Sequence, residues 1–131
     1  MKKKIHVVFP RMETMKFHNA YDGGSKYVQY LAQSLVKKGI KVTIATTKLR
    51  DKPELKESKY KGVKYVFLAP FYTGKRLIPL NIPYKRVFAK NLKKWLEKND
   101  FDILHSAEAF ALPYLKNKNR KGKVIYQTWA M

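Results

Sequence analysis

The residues best suited to chemistry lie at the end of an apolar segment in the last third of the chain. His105 ends the segment 101–105, and Ser106 and Glu108 follow it closely. An imidazole and a carboxylate at the rim of a buried strand suit general acid–base chemistry, because an imidazole titrates close to neutral pH. A structural histidine hydrogen-bonded to a neighbouring loop has the same pattern, so the residues alone leave both interpretations open.

A second candidate is the run Gly23-Gly24-Ser25, which stands where a helical pattern begins. The unpaired N–H groups and the dipole of a helix N-terminus favour an anion. Glycines let a phosphate or a sugar approach the backbone without a Cβ in the way. The run matches neither the dinucleotide fingerprint G-x-G-x-x-G nor a Walker A loop. Ordinary turn chemistry produces the same pair of glycines, so both readings stay open here.

Metal and cofactor chemistry finds no support in the sequence. The chain has no cysteine, and its three histidines are far apart with no carboxylate at ligand spacing. A Ser, His and Asp constellation cannot be read either. His6 lies inside the first predicted strand, where a structural role is expected, and His18 lies in the loop after it. We therefore expect neither a metal nor a cofactor.

The candidate residues lie among segments whose apolar patterns predict strands and helices. Short apolar runs predict five strands, at residues 5–9, 40–46, 63–68, 101–105 and 123–128. Apolar side chains at helical spacing predict one helix that ends at Gly39 and a second that Pro83 opens. Ser106 is predicted to cap a further helix. Residues 10–22, 51–61 and 69–83 are predicted as loops.

This order of elements predicts an α/β fold, a Rossmann-like, doubly wound parallel sheet of at least five strands with flanking helices. The 131 residues match the length of one domain, and an apolar fraction of 45% suffices for its core. Ligands of such sheets bind outside the carboxyl ends of the strands. The segments expected there are residues 10–24, 105–108 and 127–129.

Positive charge is concentrated in two acid-free segments. The chain carries 29 Lys and Arg against 9 Asp and Glu, a formal net charge of +20. Residues 58–96 contain no acidic residue, and a second basic run spans residues 116–123. Such segments attract phosphate in a nucleic acid, a lipid headgroup or a nucleotide, although a solvated lysine-rich surface has the same composition. No apolar run is long enough to span a membrane.

The motifs, taken in order, resemble the start of GT-B glycosyltransferases of family 4, which are glycogen synthase-like enzymes. The run 5–9 and Gly23-Gly24 lead into YVQYLAQSLVKKGIKVT at residues 27–43. The segments FDILHS at residues 101–106 and KVIYQT at residues 123–128 are similar to later strands of that family. The resemblance implies the first half of a GT-B fold. We expect residues 1–131 to form a truncated N-terminal, acceptor-side domain, with the C-terminal donor-binding domain absent.

The resemblance also implies a reaction. A sugar passes from a nucleotide-sugar donor to a sugar or lipid-linked acceptor, in a transfer of the hexosyltransferase type with retention of anomeric configuration. The donor is a substrate, and the resemblance implies no metal. We expect the chain to work as part of a longer enzyme of glycan biosynthesis and to be inactive alone.

The family's functional roles fall on individual positions of this sequence. The catalytic roles fall on His105 and Glu108. The loop near the donor phosphates and the transferred sugar corresponds to Gly23, Gly24 and Ser25. The acceptor or cleft positions are His18, Gln127 and Trp129. The sequence departs from the family pattern at Ala107 and Trp129, where the family has histidines.

Many enzymes of this family act on lipid-linked acceptors at anionic membranes, which gives the basic segments a function. The predicted membrane contacts are Lys75, Arg76, Lys85 and Arg86. We expect a cytoplasmic protein with peripheral contact to the cytoplasmic membrane face. A basic α/β nucleic-acid-binding domain is an alternative that only the charge supports. A flavodoxin-like ligand-binding module is disfavoured, because Phe9-Pro10-Arg11 stands where its aspartate pair is expected.

Overall fold

The computed structural model describes residues 4–11, 15–16, 19–20, 23–48, 54–71, 81–106 and 123–126. Ten elements follow one another along the chain, and their bounds are β1 (His6–Arg11), β2 (Met15–Lys16), β3 (Asn19–Ala20), α1 (Gly23–Lys37), β4 (Lys41–Lys48), β5 (Glu57–Tyr60), β6 (Val63–Phe71), α2 (Asn81–Lys98), β7 (Ile103–Ser106) and β8 (Lys123–Tyr126). The helices α1 and α2 lie where the apolar patterns predict helices, and each separates groups of strands.

The main sheet has six strands in the order β5-β6-β4-β1-β7-β8. The last five of these are parallel, whereas β5 pairs antiparallel with β6 at one edge. Numbered along the chain, the parallel strands lie in the order 3-2-1-4-5, which is the order of a Rossmann sheet. The predicted fold class is confirmed. A separate two-stranded sheet is formed by β2 and β3.

Among the described helices, one lies on each face of the sheet. Successive side chains of a strand point to opposite faces, so the central strands contribute to both cores. Val7 and Phe9 of β1 lie in a core cluster with Val28 and Ala32 of α1. Val8, between them, belongs to a second cluster with Phe88, Leu92 and Leu96 of α2. The first of these faces is called the α1 face below, and the second the α2 face. Both faces of the central strands are buried, which explains their continuous apolar runs.

Helix α1 ends at the glycine that the sequence indicates. Gly39 has a φ of +86°, its N–H donates to the carbonyl of Val36, and the N–H of Ile40 donates to that of Leu35. These two bonds form a Schellman motif, which needs a residue in the left-handed conformation after the helix. The motif turns the chain directly into β4.

Two strands extend into segments that the sequence predicts as loops, and three further strands lie wholly within such segments. Strand β1 continues through Pro10 to Arg11, since β7 is registered only with Val7 and Val8 and Pro10 lies beyond that pairing. Strand β6 continues through Pro70 to Phe71. Strand β5 lies within the predicted loop 51–61 and has alternating exposed and half-buried side chains with no apolar run. The predicted loop 10–22 also contains β2 and β3.

A two-residue turn joins β5 to β6 and accounts for the missed strand. Lys61 and Gly62 have φ values of +49° and +81°, and Tyr60 pairs directly with Val63. Positive φ at both turn residues is the feature of type I′ hairpins, whose twist matches that of the strands. Helix α2 begins at Asn81, two residues before Pro83. Ser106, predicted as a helix cap, is the last residue of β7, and residues 107–122 lie outside the described residues.

Candidate functional site

The carboxyl edge of the parallel strands brings the main candidates together. Helix α1 follows β1 and leads into the parallel strand β4, so it returns antiparallel to the strands and begins at their carboxyl edge. Gly23 and Gly24 therefore lie at this edge, on the α1 face. His105 lies near the carboxyl end of β7 and contacts Phe9, a member of the α1-face core. The structure thus places the glycine pair and His105 at one edge and on one face.

His105 is held by an aromatic neighbour. Its ring centroid lies 5.0 Å from that of Phe9, with an angle of 36° between the ring planes. The phenyl ring is buried, whereas the imidazole is half-buried. In the sheet, His105 is registered with Ile125 of β8. The packing therefore fixes the position of a half-buried imidazole at the carboxyl edge, where a hydrogen-bonding group is needed.

The start of α1 presents backbone donors at the same edge. The first four N–H groups of an α-helix have no partner within the helix, and its dipole makes this end positive. The first turn of α1 contains Gly23, Gly24 and Ser25 and no acidic residue, and Asp22 directly precedes it in the sequence. An anionic group is the ligand that such a terminus favours.

Two further residues at this edge were missed by the sequence reasoning. Arg11, the last residue of β1, is 7% exposed and is registered with Thr46 of β4, which is fully buried. Arg11 lies two residues after Phe9, so it belongs to the α1 face. Within the described residues, Thr46 Oγ1 has no hydrogen-bond partner. The alternation Val7, Phe9, Arg11 is the sequence signal for this placement, whereas Pro10 predicts that the strand ends before Arg11.

Several predicted site residues lie outside the described residues. These are His18, Lys75, Arg76, Glu108, Gln127 and Trp129. Ser25 lies in the first turn of α1, Lys85 is the fifth residue of α2, and Arg86 is exposed on α2. No group of three metal-ligating side chains occurs in the ranges that the structure covers.

His6 lies at the opposite, amino edge and has a structural role. Its Nδ1 is 2.7 Å from the carbonyl oxygen of Asp100, and its Nε2 is 2.8 Å from Oγ1 of Thr43. A carbonyl only accepts, so Nδ1 donates and Nε2 accepts from the threonine hydroxyl. The backbone N–H of His6 also donates to the Asp102 carboxylate, at 2.8 Å. One residue thus ties β1 to β4 and to the segment before β7.

The surroundings of His6 disfavour its charged form. Burial is the main reason that the pKa of His6 lies below its usual value, and the nearby Lys41 and Lys64 act in the same direction. The hydrogen bond to Asp100 and the charge of Asp102 oppose the shift.

Two clefts, of about 300 and 390 Å³, adjoin the amino edge of the sheet, and both are lined partly by Lys41. They are remote from His105.

Comparison with known proteins agrees with this architecture. Residues 21–128 match the family model of Glycosyltransferase Family 4. The chain belongs to this family. Sucrose-phosphate synthase from Thermosynechococcus elongatus has a similar structure, with a TM-score of 0.73 over 97% of this chain and 13% sequence identity. At that identity the likeness concerns the fold. This chain spans 33% of the synthase chain, and no curated protein matches it.

The family 4 match covers some residues of the candidate site and not others. It includes Gly23, Gly24 and His105, which lie within residues 21–128, and it begins after β1. Phe9 and Arg11 are therefore features of this chain on which the family match is silent. Among the described helices, none is both long and apolar enough to cross a membrane.

Proposed function

We propose that this family 4 domain transfers a sugar from a nucleotide-sugar donor to a sugar or lipid-linked acceptor, as the acceptor-side half of a two-domain enzyme. The observation that carries the proposal is the half-buried imidazole of His105, which lies at the same edge and on the same face as the start of α1. A polarising group and an anion-favouring helix terminus are two of the parts that such a transfer requires.

The donor diphosphate is the anion that suits the start of α1. Gly23 and Gly24 have no side chain to keep a phosphate from the backbone N–H groups. Arg11 supplies a fixed cation at the same edge of the sheet, and guanidinium groups bind phosphate through paired hydrogen bonds. Both features stabilise the negative charge that develops on the diphosphate as the nucleotide leaves.

The transfer that we propose is of the hexosyl type and retains the anomeric configuration. The bond between the anomeric carbon and the diphosphate oxygen breaks, and the acceptor oxygen bonds to that carbon on the same side. The acceptor proton passes to the departing diphosphate. His105 hydrogen-bonds to the sugar or the acceptor hydroxyl and holds it in line. The same task is proposed for Glu108, and acceptor contacts are proposed for His18, Gln127 and Trp129.

The function is tested with two substitutions at one position in the complete natural protein. His105→Ala removes the imidazole and its contact with Phe9, whereas His105→Phe keeps an aromatic ring there. With a panel of nucleotide sugars, we expect both variants to lose about 100-fold or more in transfer rate. A wild-type rate in His105→Phe would assign the residue to packing. Failure of the wild-type protein to turn over any nucleotide sugar would contradict the function itself.

A further inference from the structure

The outward side of α2 is strongly basic, with one carboxylate, that of Glu97, among its cations. Arg86, Lys90, Lys94 and Lys98 are exposed and follow one another at intervals of four residues, and the half-buried Lys93 lies beside them. At about 100° per residue, these five positions cover about 140° of the helix circumference. The opposite side carries Phe88, Leu92 and Leu96 of the α2-face core. The five cations define the α2 basic face.

Within the described residues, the charge of the α2 basic face is only partly compensated. The exposed Glu97 lies on the same side of the helix, so the face carries five positive charges and one negative charge. Glu97 is the only carboxylate between residues 86 and 98. None of the five cations makes an ion pair in the part of the chain that the structure describes; the ion pair found there joins Lys64 to Glu57, at 3.4 Å. Like charges four residues apart on a helix repel each other. An anionic partner would remove this repulsion.

We infer that the α2 basic face is a docking surface for an anionic lipid membrane. The inference rests on the proposed function, because a lipid-linked acceptor would be presented at such a surface. Four of the five cations are lysines, which interact with headgroups as point charges. Val87, 43% exposed, lies within the face.

A nucleic-acid partner suits the face less well. Nucleic-acid surfaces favour arginine, with its planar fork, and single strands need exposed aromatic platforms. The face has one arginine, and Phe88, the aromatic residue next to Val87, is fully buried. The breadth of the face also matches a plane of headgroups better than a single strand.

The membrane contacts predicted from sequence are only partly those of this face. Arg86 belongs to both sets, whereas Lys75 and Arg76 lie outside the described residues. The structure adds the cations that follow Arg86 along the helix, Lys90, Lys93, Lys94 and Lys98. They share one side of α2 only because the helix is continuous from Asn81 to Lys98.

Helix α1 offers a matched control on the other side of the sheet. Lys26 and Lys37 of this helix and Lys38, the residue after it, are exposed. Their replacement by glutamine changes the net charge by the same amount as Arg86→Gln/Lys90→Gln/Lys94→Gln. Glutamine is a good helix former, so both triple variants should keep their helices. Circular dichroism and a thermal melt confirm this before binding is measured.

The experiment is sedimentation of the chain with vesicles of phosphatidylcholine, alone or mixed with phosphatidylglycerol. We expect wild-type binding only to the mixed vesicles, weakening as salt is raised. Each lysine or arginine near the surface contributes about fivefold, so the α2 triple variant should lose about 100-fold in partitioning. The α1 triple variant should lose far less. Equal losses would mean that net charge alone drives binding, and equal binding to both vesicle types would also overturn the inference.

The assay uses no donor sugar, so its outcome is separate from that of the proposed function. Transfer to a soluble acceptor without vesicle binding would overturn the docking surface alone. Vesicle binding without any sugar transfer would overturn the function and leave the surface standing. Binding of single-stranded RNA that depends on the α2 cations, with no vesicle binding, would replace the membrane by a nucleic acid as the partner.

Discussion

The imidazole of His105 lies against the buried phenyl ring of Phe9, with 5.0 Å between the ring centroids. Phe9→Leu keeps an apolar side chain but removes this aromatic contact. We expect transfer in the complete protein to slow at unchanged KM, because the imidazole is less well positioned. A loss of about 1 kcal/mol in the free energy of unfolding should accompany it. Val8→Ala is the control, since Val8 is fully buried on the α2 face. If both variants slow transfer equally, the contact has no specific role.

The environment of His6 predicts a pH-dependent stability. Its folded pKa lies below the value of 6.5 that applies to the unfolded chain. The unfolded chain therefore takes up a proton first as pH falls. The free energy of unfolding should be at its full value above about pH 6.5 and decrease below it, by up to about 1.4 kcal/mol per pH unit, until the folded pKa is reached.

Urea denaturation between pH 5 and 8 measures the effect of His6. In His6→Gln the decrease between these values should be smaller than in the wild type, whatever the absolute stability. The control is His105→Gln, which leaves the bonds of His6 to Thr43 and Asp100 intact. An unchanged slope in His6→Gln would show that other groups cause the pH dependence.

Gly62 and Gly39 provide a matched pair for a steric prediction. Both have positive φ, at +81° and +86°, but a Cβ on Gly62 would lie 2.6 Å from Cγ1 of Val36, whereas one on Gly39 meets nothing within 4 Å. Gly39→Ala should cost about 1–2 kcal/mol from the backbone alone. Gly62→Ala should cost more, because Val36 must also move.

The double variant Gly62→Ala/Val36→Ala separates the two contributions. It should show a favourable coupling energy, because removal of the valine methyl groups relieves the clash. Thermal or urea unfolding of the four chains gives this energy. Additive losses would mean that the backbone at residue 62 carries the whole effect.

The predictable and unpredictable parts of this fold differ in what stabilises them. Strands β1 and β4 are buried over most of their length, Leu104 of β7 is fully buried, and α1 has an apolar stripe, so residue type alone indicates these elements. Strand β5 is held by backbone pairing with β6 and by a turn at Lys61 and Gly62, and its exposed Glu57 and Lys59 carry no apolar signal.

The candidate site shows the same division. His105 was predictable because it ends the strand pattern of residues 101–105, and the glycine pair because it opens a helix. Arg11 was not, since its position depends on β1 continuing past Pro10. The α2 basic face was missed for another reason. The positive charge was assigned to a segment of sequence, whereas its distribution follows the sides of a helix.

Replacement of the buried Thr46 by valine should stabilise the protein. Its hydroxyl is buried without a hydrogen bond in the described part of the chain, which costs about 1–3 kcal/mol. Thr46→Val replaces this hydroxyl by a methyl group of similar size, and we expect the free energy of unfolding to rise by about 1 kcal/mol. Thr43→Val is the control, because the equally buried Thr43 bonds to His6. It should lower stability by a similar amount. A destabilised Thr46→Val would reveal a partner for the hydroxyl.

Replacement of Arg11 should weaken donor binding while leaving the protein folded. Arg11→Met keeps a long side chain to fill the site but removes the charge of a residue that is 7% exposed. If the guanidinium contacts the donor diphosphate, binding of a nucleoside diphosphate to the complete protein should weaken by 10- to 100-fold, about 1.5–3 kcal/mol. Arg11→Lys should recover only part of this affinity, because an ammonium lacks the planar fork. Calorimetric titration with the nucleotide measures the affinity, and a thermal melt reports the folding of each variant. Affinities equal to the wild type in a folded Arg11→Met would remove Arg11 from the donor site.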